Sequence, residues 1–167
     1  MTLRLILTRH AKSDWDNPLD TDHQRPLNAR GRKAAPRIGQ WLREQGHVPQ
    51  AALVSDAIRT RETWARLSSA FGADVPVAFV PALYHASSDV MLSELHKARA
   101  DTVMMIGHNP GIAGFATALV RNRPAHPEFV RYPTCATLVV DFDAADWAAI
   151  RPGTGEFRDF IVPRDLF

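Results

Sequence analysis

Six short runs of apolar and β-branched residues, Leu3 to Thr8, Ala52 to Ser55, Val77 to Val80, Thr102 to Ile106, Thr137 to Phe142 and Phe157 to Val162, alternate along the chain with longer stretches of helical period. Runs this short and this apolar suit strands buried on both faces, and strands joined by helix-length segments pair in parallel. The expected architecture is therefore α/β: a three-layer sandwich with a mostly parallel central sheet of about six strands and helices on both faces. Ala35, Ile38, Gly39 and Leu42 stand at i, i+3, i+4 and i+7, and Thr60, Trp64, Leu67 and Phe71 repeat the pattern. The clearest helix carries Ile112, Phe115, Ala116, Leu119 and Val120, with Asn109 expected as N-cap and Pro110 as first helical residue. Pro36 lies inside the first helical pattern and should kink it or delay its start. Only a short piece, Ala144 to Ile150, separates the last two strands, so one antiparallel edge strand is expected there. The stretch "NRPAHPE", residues 122 to 128, reads as an irregular surface loop.

No repeat or low-complexity linker divides the 167 residues, so a single domain spanning 1–167 is expected. Cys135 is the only cysteine, which excludes an intrachain disulfide and a cysteine-based metal cluster and fits a small buried hydrophobe. The 20 Lys plus Arg barely exceed the 18 Asp plus Glu, so the net charge of +2 is no nucleic-acid footprint. Arginine strongly outnumbers lysine, which favours planar recognition of phosphate or carboxylate. The apolar runs are far shorter than a membrane span, and Met1 leads straight into a strand-like stretch without the pattern of a secretory signal. A cytoplasmic protein without membrane partners is the expectation.

Open α/β sheets bind ligands beyond the carboxyl ends of their strands, where helix N-termini present backbone amides. Arg9 and His10 follow the first strand. Ser55 ends the second, with Arg59 one turn into the next helix, and Gly107, His108 and Asn109 follow the fourth. Three junctions thus deliver two histidines and two arginines to one edge of the sheet, a combination suited to a phosphoryl group. Its charge lies on three equatorial oxygens, which guanidinium forks and imidazole N–H groups can hold while a neutral imidazole attacks phosphorus in line. Each well-placed donor is worth about 3 kcal/mol in the transition state. Such a site requires no metal and no cofactor. His23, His47, His85, His96 and His126 lack this placement, and most are expected at the surface.

The segments "LILTRHAKSDW" (5 to 15), "RPLNARGRKAA" (25 to 35), "LVSDAIRTRETW" (53 to 64), "MMIGHNPGI" (104 to 112) and "PTCATLVVDF" through "VPRDLF" together resemble the histidine phosphatase (phosphoglycerate mutase-like) superfamily, and its small SixA-type phosphohistidine phosphatase branch in particular. They occur in the family's order over nearly the whole chain. The resemblance implies that His10 is the phosphorylated nucleophile, that Arg9, Arg59 and His108 bind the phosphoryl oxygens, and that Arg25 flanks the pocket mouth. Ser55 and Asn109 are further expected substrate-binding residues. The implied substrate is a phosphohistidine-bearing protein, with a small phosphate ester as the alternative.

Three positions depart from the family pattern. Ala11 replaces the usual glycine after the nucleophile and would be strained if that residue needed a positive φ. Asp56 replaces a proline and brings a carboxylate near the phosphate site unless it turns away as a helix cap. The larger members supply a glutamate as general acid after the third strand, whereas "PALYHASSD" (81 to 89) contains none. Asp14 and His85 are the candidate proton donors. A site poor in acid suits phosphohistidine, whose leaving imidazole demands a proton less than an alkoxide does. Two other readings compete. A dinucleotide loop at "GHNPGIAG" (107 to 114) has the wrong glycine spacing and a proline in place of a loop amide. A phosphate sensor without turnover would keep the arginines for binding alone. H-E-x-x-H, P-loop and G-x-S-x-G motifs are absent.

Overall fold

A computed structural model describes residues 1–167. Strand β1 (Thr2–Arg9) sets the layers by its alternation: Leu3, Leu5 and Leu7 enter one core and Ile6 the other. Two neighbours repeat the division. In β4 (Thr102–Gly107), Val103 and Met105 face opposite to Met104 and Ile106; in β5 (Thr137–Asp143), Leu138, Val140 and Phe142 face opposite to Val139. With β2 (Ala51–Ser55), β3 (Val77–Val80) and β6 (Glu156–Ile161), they form one six-stranded sheet in the order β3-β2-β4-β1-β5-β6.

Strands β1 to β4 are parallel, β5 is antiparallel to β1, and β6 is antiparallel to β5. The antiparallel pairing expected late in the chain is therefore present at that edge, with β5 the reversed strand and β6 outermost. Helices α1 (Ala29–Glu44) and α2 (Ile58–Ser68) cover one face, while α3 (Ser88–Leu95) and α4 (Gly111–Leu119) cover the other. The result is the expected α/β sandwich. None of its helices is long and apolar enough to cross a membrane.

Several local expectations are corrected. Helix α1 runs through Pro36 rather than starting after it, capped by the Asn28 side chain, which accepts the Gly31 N–H at 2.9 Å. The proline removes one i→i−4 hydrogen bond, and burial of Ala35, Ile38 and Leu42 on both sides outweighs that loss. Asn109 does not cap α4. Its side-chain amide donates to the Arg131 and Tyr132 carbonyls, Pro110 takes the cap position, and the helix begins at Gly111. Helix α3 has no counterpart in the sequence-based pattern, although Ser87 caps it by accepting the Val90 N–H and Met91 and Leu95 supply its buried i, i+4 pair.

Two glycines fix how the helices meet the site. A Cβ on Gly31 would lie 2.2 Å from the Lys12 carbonyl oxygen, so only glycine lets the start of α1 press against the chain just after His10. A Cβ on Gly111 would lie 1.8 Å from the Ala86 carbonyl oxygen, so the same absence lets α4 press on the loop that carries His85.

Candidate active site

At the carboxyl end of β1 the backbone is held on both sides: the His10 N–H donates to the Gly107 carbonyl, and the Cys135 N–H to the carbonyls of Arg9 and His10. His10 is 6% exposed. Its Nδ1 lies 2.7 Å from the Ala11 carbonyl oxygen, which can only accept, so Nδ1 carries the proton and Nε2 the lone pair. Burial, opposed by that hydrogen bond and reinforced by Arg9, Arg59 and Arg25, pushes the imidazole pKa down to about 3. The ring is thus a neutral base at neutral pH, the form able to attack an electrophile.

Arg9, Arg59 and His108 meet His10 around one cleft of about 360 Å³. The His10 and His108 ring centres are 5.3 Å apart. Burial, together with His10, Arg59 and His85, lowers the His108 pKa to about 2. Its Nε2 lies 2.7 Å from the Ser55 hydroxyl; with the hydroxyl donating, Nδ1 becomes the N–H donor. That nitrogen, Arg9 Nε and Arg59 Nε are buried without a partner in the protein, an arrangement able to bind an anion with desolvated, directed donors. Arg9 is offset only by the Tyr132 carbonyl, and burial, with Arg59 and Arg131, lowers its pKa.

Asp22 organises the opposite wall. Its carboxylate accepts from Nε and Nη2 of Arg25, from Arg59 Nη2 at 3.0 Å and from the Tyr84 hydroxyl, and stands 3.2 Å from His85 Nε2. Its backbone carbonyl takes a second bond from Arg59 at 2.6 Å. Burial raises the carboxyl pKa, but hydrogen bonds from Tyr84 and Arg25 and the charge of Arg59 outweigh it and hold the group well below the usual range. Tyr84 and His85 stack at 4.2 Å between centres, and His85 is 5.3 Å from His108. His85 adopts φ 50°, Tyr132 φ 51° and Cys135 φ 63°, so the left-handed residues that are not glycine cluster around this edge of the sheet. Such geometry costs about 1–3 kcal/mol each and persists where surrounding contacts impose it.

Of the residues singled out in the sequence, His10, Arg9, Arg59, His108, Arg25, Asn109 and His85 line the cleft. Ser55 does not: it is fully buried behind His108, where it can orient the ring but cannot touch a substrate. Asp14 is also absent from the wall, its carboxylate accepting the Asp16 N–H instead. Sequence pattern does not reveal Asp22 and Tyr84, because their partners come from three separate segments, although Asp22 lies three residues before Arg25 and forms an i, i+3 ion pair with it. His47 is not at the surface: it is buried, 2.6 Å from Asp159.

The family departures also have physical outcomes. Ala11 does not have positive φ, so no strain arises; its N–H donates to the Thr63 hydroxyl. Asp56 neither caps α2 nor enters the cleft, being held 3.0 Å from His23 Nε2. Cys135 is buried with its pKa pushed up to about 12, as suits an inert core thiol.

The family model of the histidine phosphatase superfamily (branch 1) matches residues 5–87. Solved structures agree over nearly the full length: a Nakamurella multipartitia protein described as a phosphohistidine phosphatase SixA superposes with TM-score 0.79 at 29% identity, covering 98% of this chain and 97% of the other. The chain belongs to the histidine phosphatase superfamily. Within it, a SixA-described protein of Agrobacterium tumefaciens gives TM-score 0.79 at 26% identity, over 96% and 98% of the two chains. A protein histidine phosphatase SixA bound to tungstate shares the fold at TM-score 0.78 and 20% identity, over 99% and 100%. An uncharacterised protein of Mycobacterium tuberculosis is 32% identical over 93% of this chain and 99% of its own length. This superfamily histidine phosphatase thus has SixA-like structural neighbours, and they support phosphatase activity.

Proposed function

We propose that the chain is a phosphohistidine phosphatase that acts on phosphorylated proteins through a covalent intermediate on His10, without a metal. The observation that carries this reading is the Nδ1 contact of His10 to the Ala11 carbonyl, which leaves Nε2 unprotonated within reach of a cleft whose other donors are Arg9, Arg59 and His108. Nε2 attacks phosphorus as the substrate N–P bond breaks, and the electron pair stays on the departing nitrogen. The guanidinium groups and the His108 N–H hold the equatorial oxygens during transfer. Water then attacks the phosphohistidine, the Nε2–P bond breaks, and dihydrogen phosphate leaves with the neutral imidazole restored.

His85 is the proposed proton donor to the leaving group. Asp22 cannot fill that role at neutral pH, because its neighbours hold it ionised; it pairs with Arg59, and its carboxylate and the Arg59 Nη2 donor each stand 3.2 Å from His85 Nε2. Small phosphate esters form a second substrate class, favoured by the proximity of this Asp22–His85 pair, which offers the proton an alkoxide needs. A panel of a phosphohistidine protein, free phosphohistidine, an aryl phosphate and phosphoglycerate separates the two. The expected order places the phosphohistidine protein first. Turnover of phosphoglycerate alone contradicts the proposal, activity on none favours a phosphate sensor, and activity lost to a chelator and restored by a divalent ion contradicts metal independence.

A further inference from the structure

A second cavity, of about 420 Å³, opens beside the catalytic cleft and shares two wall residues with it, Lys12 and Thr134. Its remaining walls bring Arg30 and Lys33 from the start of α1 together with Arg164 and Phe167 from the end of the chain. Gly31 makes this possible by letting α1 seat directly on the Lys12 carbonyl, which also accepts the Asn28 N–H at 3.0 Å. Four cations therefore surround one concavity on a chain whose net charge is only +2. All four side chains are exposed, and none takes part in the ion pairs of the protein. The nearby Asp165 carboxylate is already engaged by His126 and the Val162 N–H.

Helix stability does not explain the arrangement. Cations near a helix N-terminus oppose the macrodipole, and the first turn of α1 contains no acidic residue to compensate. A phosphoryl group held by Arg9, Arg59 and His108 would use the donors of the catalytic cleft and leave the second cavity to another part of the substrate. We propose that this cavity binds carboxylate side chains adjoining the phosphohistidine, so that the enzyme selects phosphoproteins whose modified histidine lies in an acidic context. This rests on the phosphohistidine reading above. Phe167 gives the cavity an apolar wall against which the methylene groups of a glutamate can pack, which a second phosphate would not use.

The test uses the double variant R30Q/K33Q, which removes two charges unfavourable to the helix and so should fold as the native chain does. Two phosphohistidine peptides, one flanked by glutamates and one by glutamines, are compared with p-nitrophenyl phosphate and with binding of unphosphorylated hexaglutamate. The expected result is a KM for the acidic peptide about tenfold below that for the neutral one, a difference that the variant and raised salt abolish while p-nitrophenyl phosphate hydrolysis is unchanged. Hexaglutamate binding should weaken by a similar factor in the variant. Equal KM values for the two peptides in the native enzyme, or hexaglutamate binding that the variant leaves intact, overturn the proposal. Inorganic pyrophosphate inhibiting p-nitrophenyl phosphate hydrolysis through the same two residues, without hexaglutamate binding, overturns it in favour of a small bisphosphate ligand. Loss of hexaglutamate binding in the variant with no turnover of either peptide supports the carboxylate site and overturns the phosphohistidine reading instead.

Discussion

Strand β1 carries an arginine near each end, and the two are treated in opposite ways. Arg4 forms a two-point ion pair with the buried Asp141 carboxylate at 2.7 and 2.8 Å, and Arg158 adds a third bond to that carboxylate. These hydrogen bonds raise the Arg4 pKa, and although burial opposes them they lower that of Asp141. Arg9, a few residues on, has a carbonyl oxygen but no carboxylate, with its Nε buried and unpartnered. The same residue type on one strand thus makes a closed structural pair at one end and an exposed demand for an anion at the other. Unbalanced charge in a cleft is what separates a site from a structural network.

The sharpest way to break this comparison is to remove each arginine in turn. Arg9→Gln should cut kcat by about a hundredfold or more on any phosphodonor while leaving thermal stability close to native, since it removes a donor aimed at developing charge. Arg4→Gln should do the reverse, leaving kcat near native and costing about 1–3 kcal/mol in denaturant unfolding because Asp141 loses its two-point partner. Equal effects of both variants on activity would erase the distinction.

Gly111→Ala sharpens the comparison from the fold side. The added Cβ meets the Ala86 backbone, so the loop bearing His85 must shift, and kcat is expected to fall about tenfold on an ester substrate with less change on phosphohistidine. Parallel loss on both substrates, measured by steady-state kinetics, argues against His85 as proton donor.

A further effect concerns acid. His10 and His108 have folded pKa values near 3 and 2, below the unfolded value, so the unfolded chain takes up protons first as pH falls from about 6.5. Each ring then removes up to about 1.4 kcal/mol of stability per pH unit. Asp141, with its lowered pKa, acts in the same direction only below the ordinary carboxylate range. Denaturation between pH 6.5 and 4.5 should therefore show a steep loss of stability that His108→Asn makes shallower, and imidazole NMR shifts should show both rings neutral throughout.

Much of this was legible in the sequence because it depends on local pattern. All six strands and the convergence of Arg9, His10, Arg59 and His108 follow from hydrophobic period and from the rule that ligands sit beyond strand ends. Asp22, Tyr84 and the buried His47–Asp159 pair did not, since each acquires its meaning from partners distant along the chain: Asp22 from Arg59 and Tyr84, His47 from Asp159. The strand-end position of Ser55 does not say whether its side chain faces the cleft or the ring behind it, and in the fold it faces His108. Asn109 lines the cleft, but it does not cap α4, because its side chain is claimed by two carbonyls of a loop more than twenty residues further on.

The most direct measurement is brief reaction with a labelled phosphodonor, followed by acid and base treatment of the denatured protein. The account predicts label that is stable in base, lost in acid, confined to the peptide containing His10 and absent from His10→Ala. Turnover persisting at the native rate in that variant, or label mapped to another residue, would contradict it.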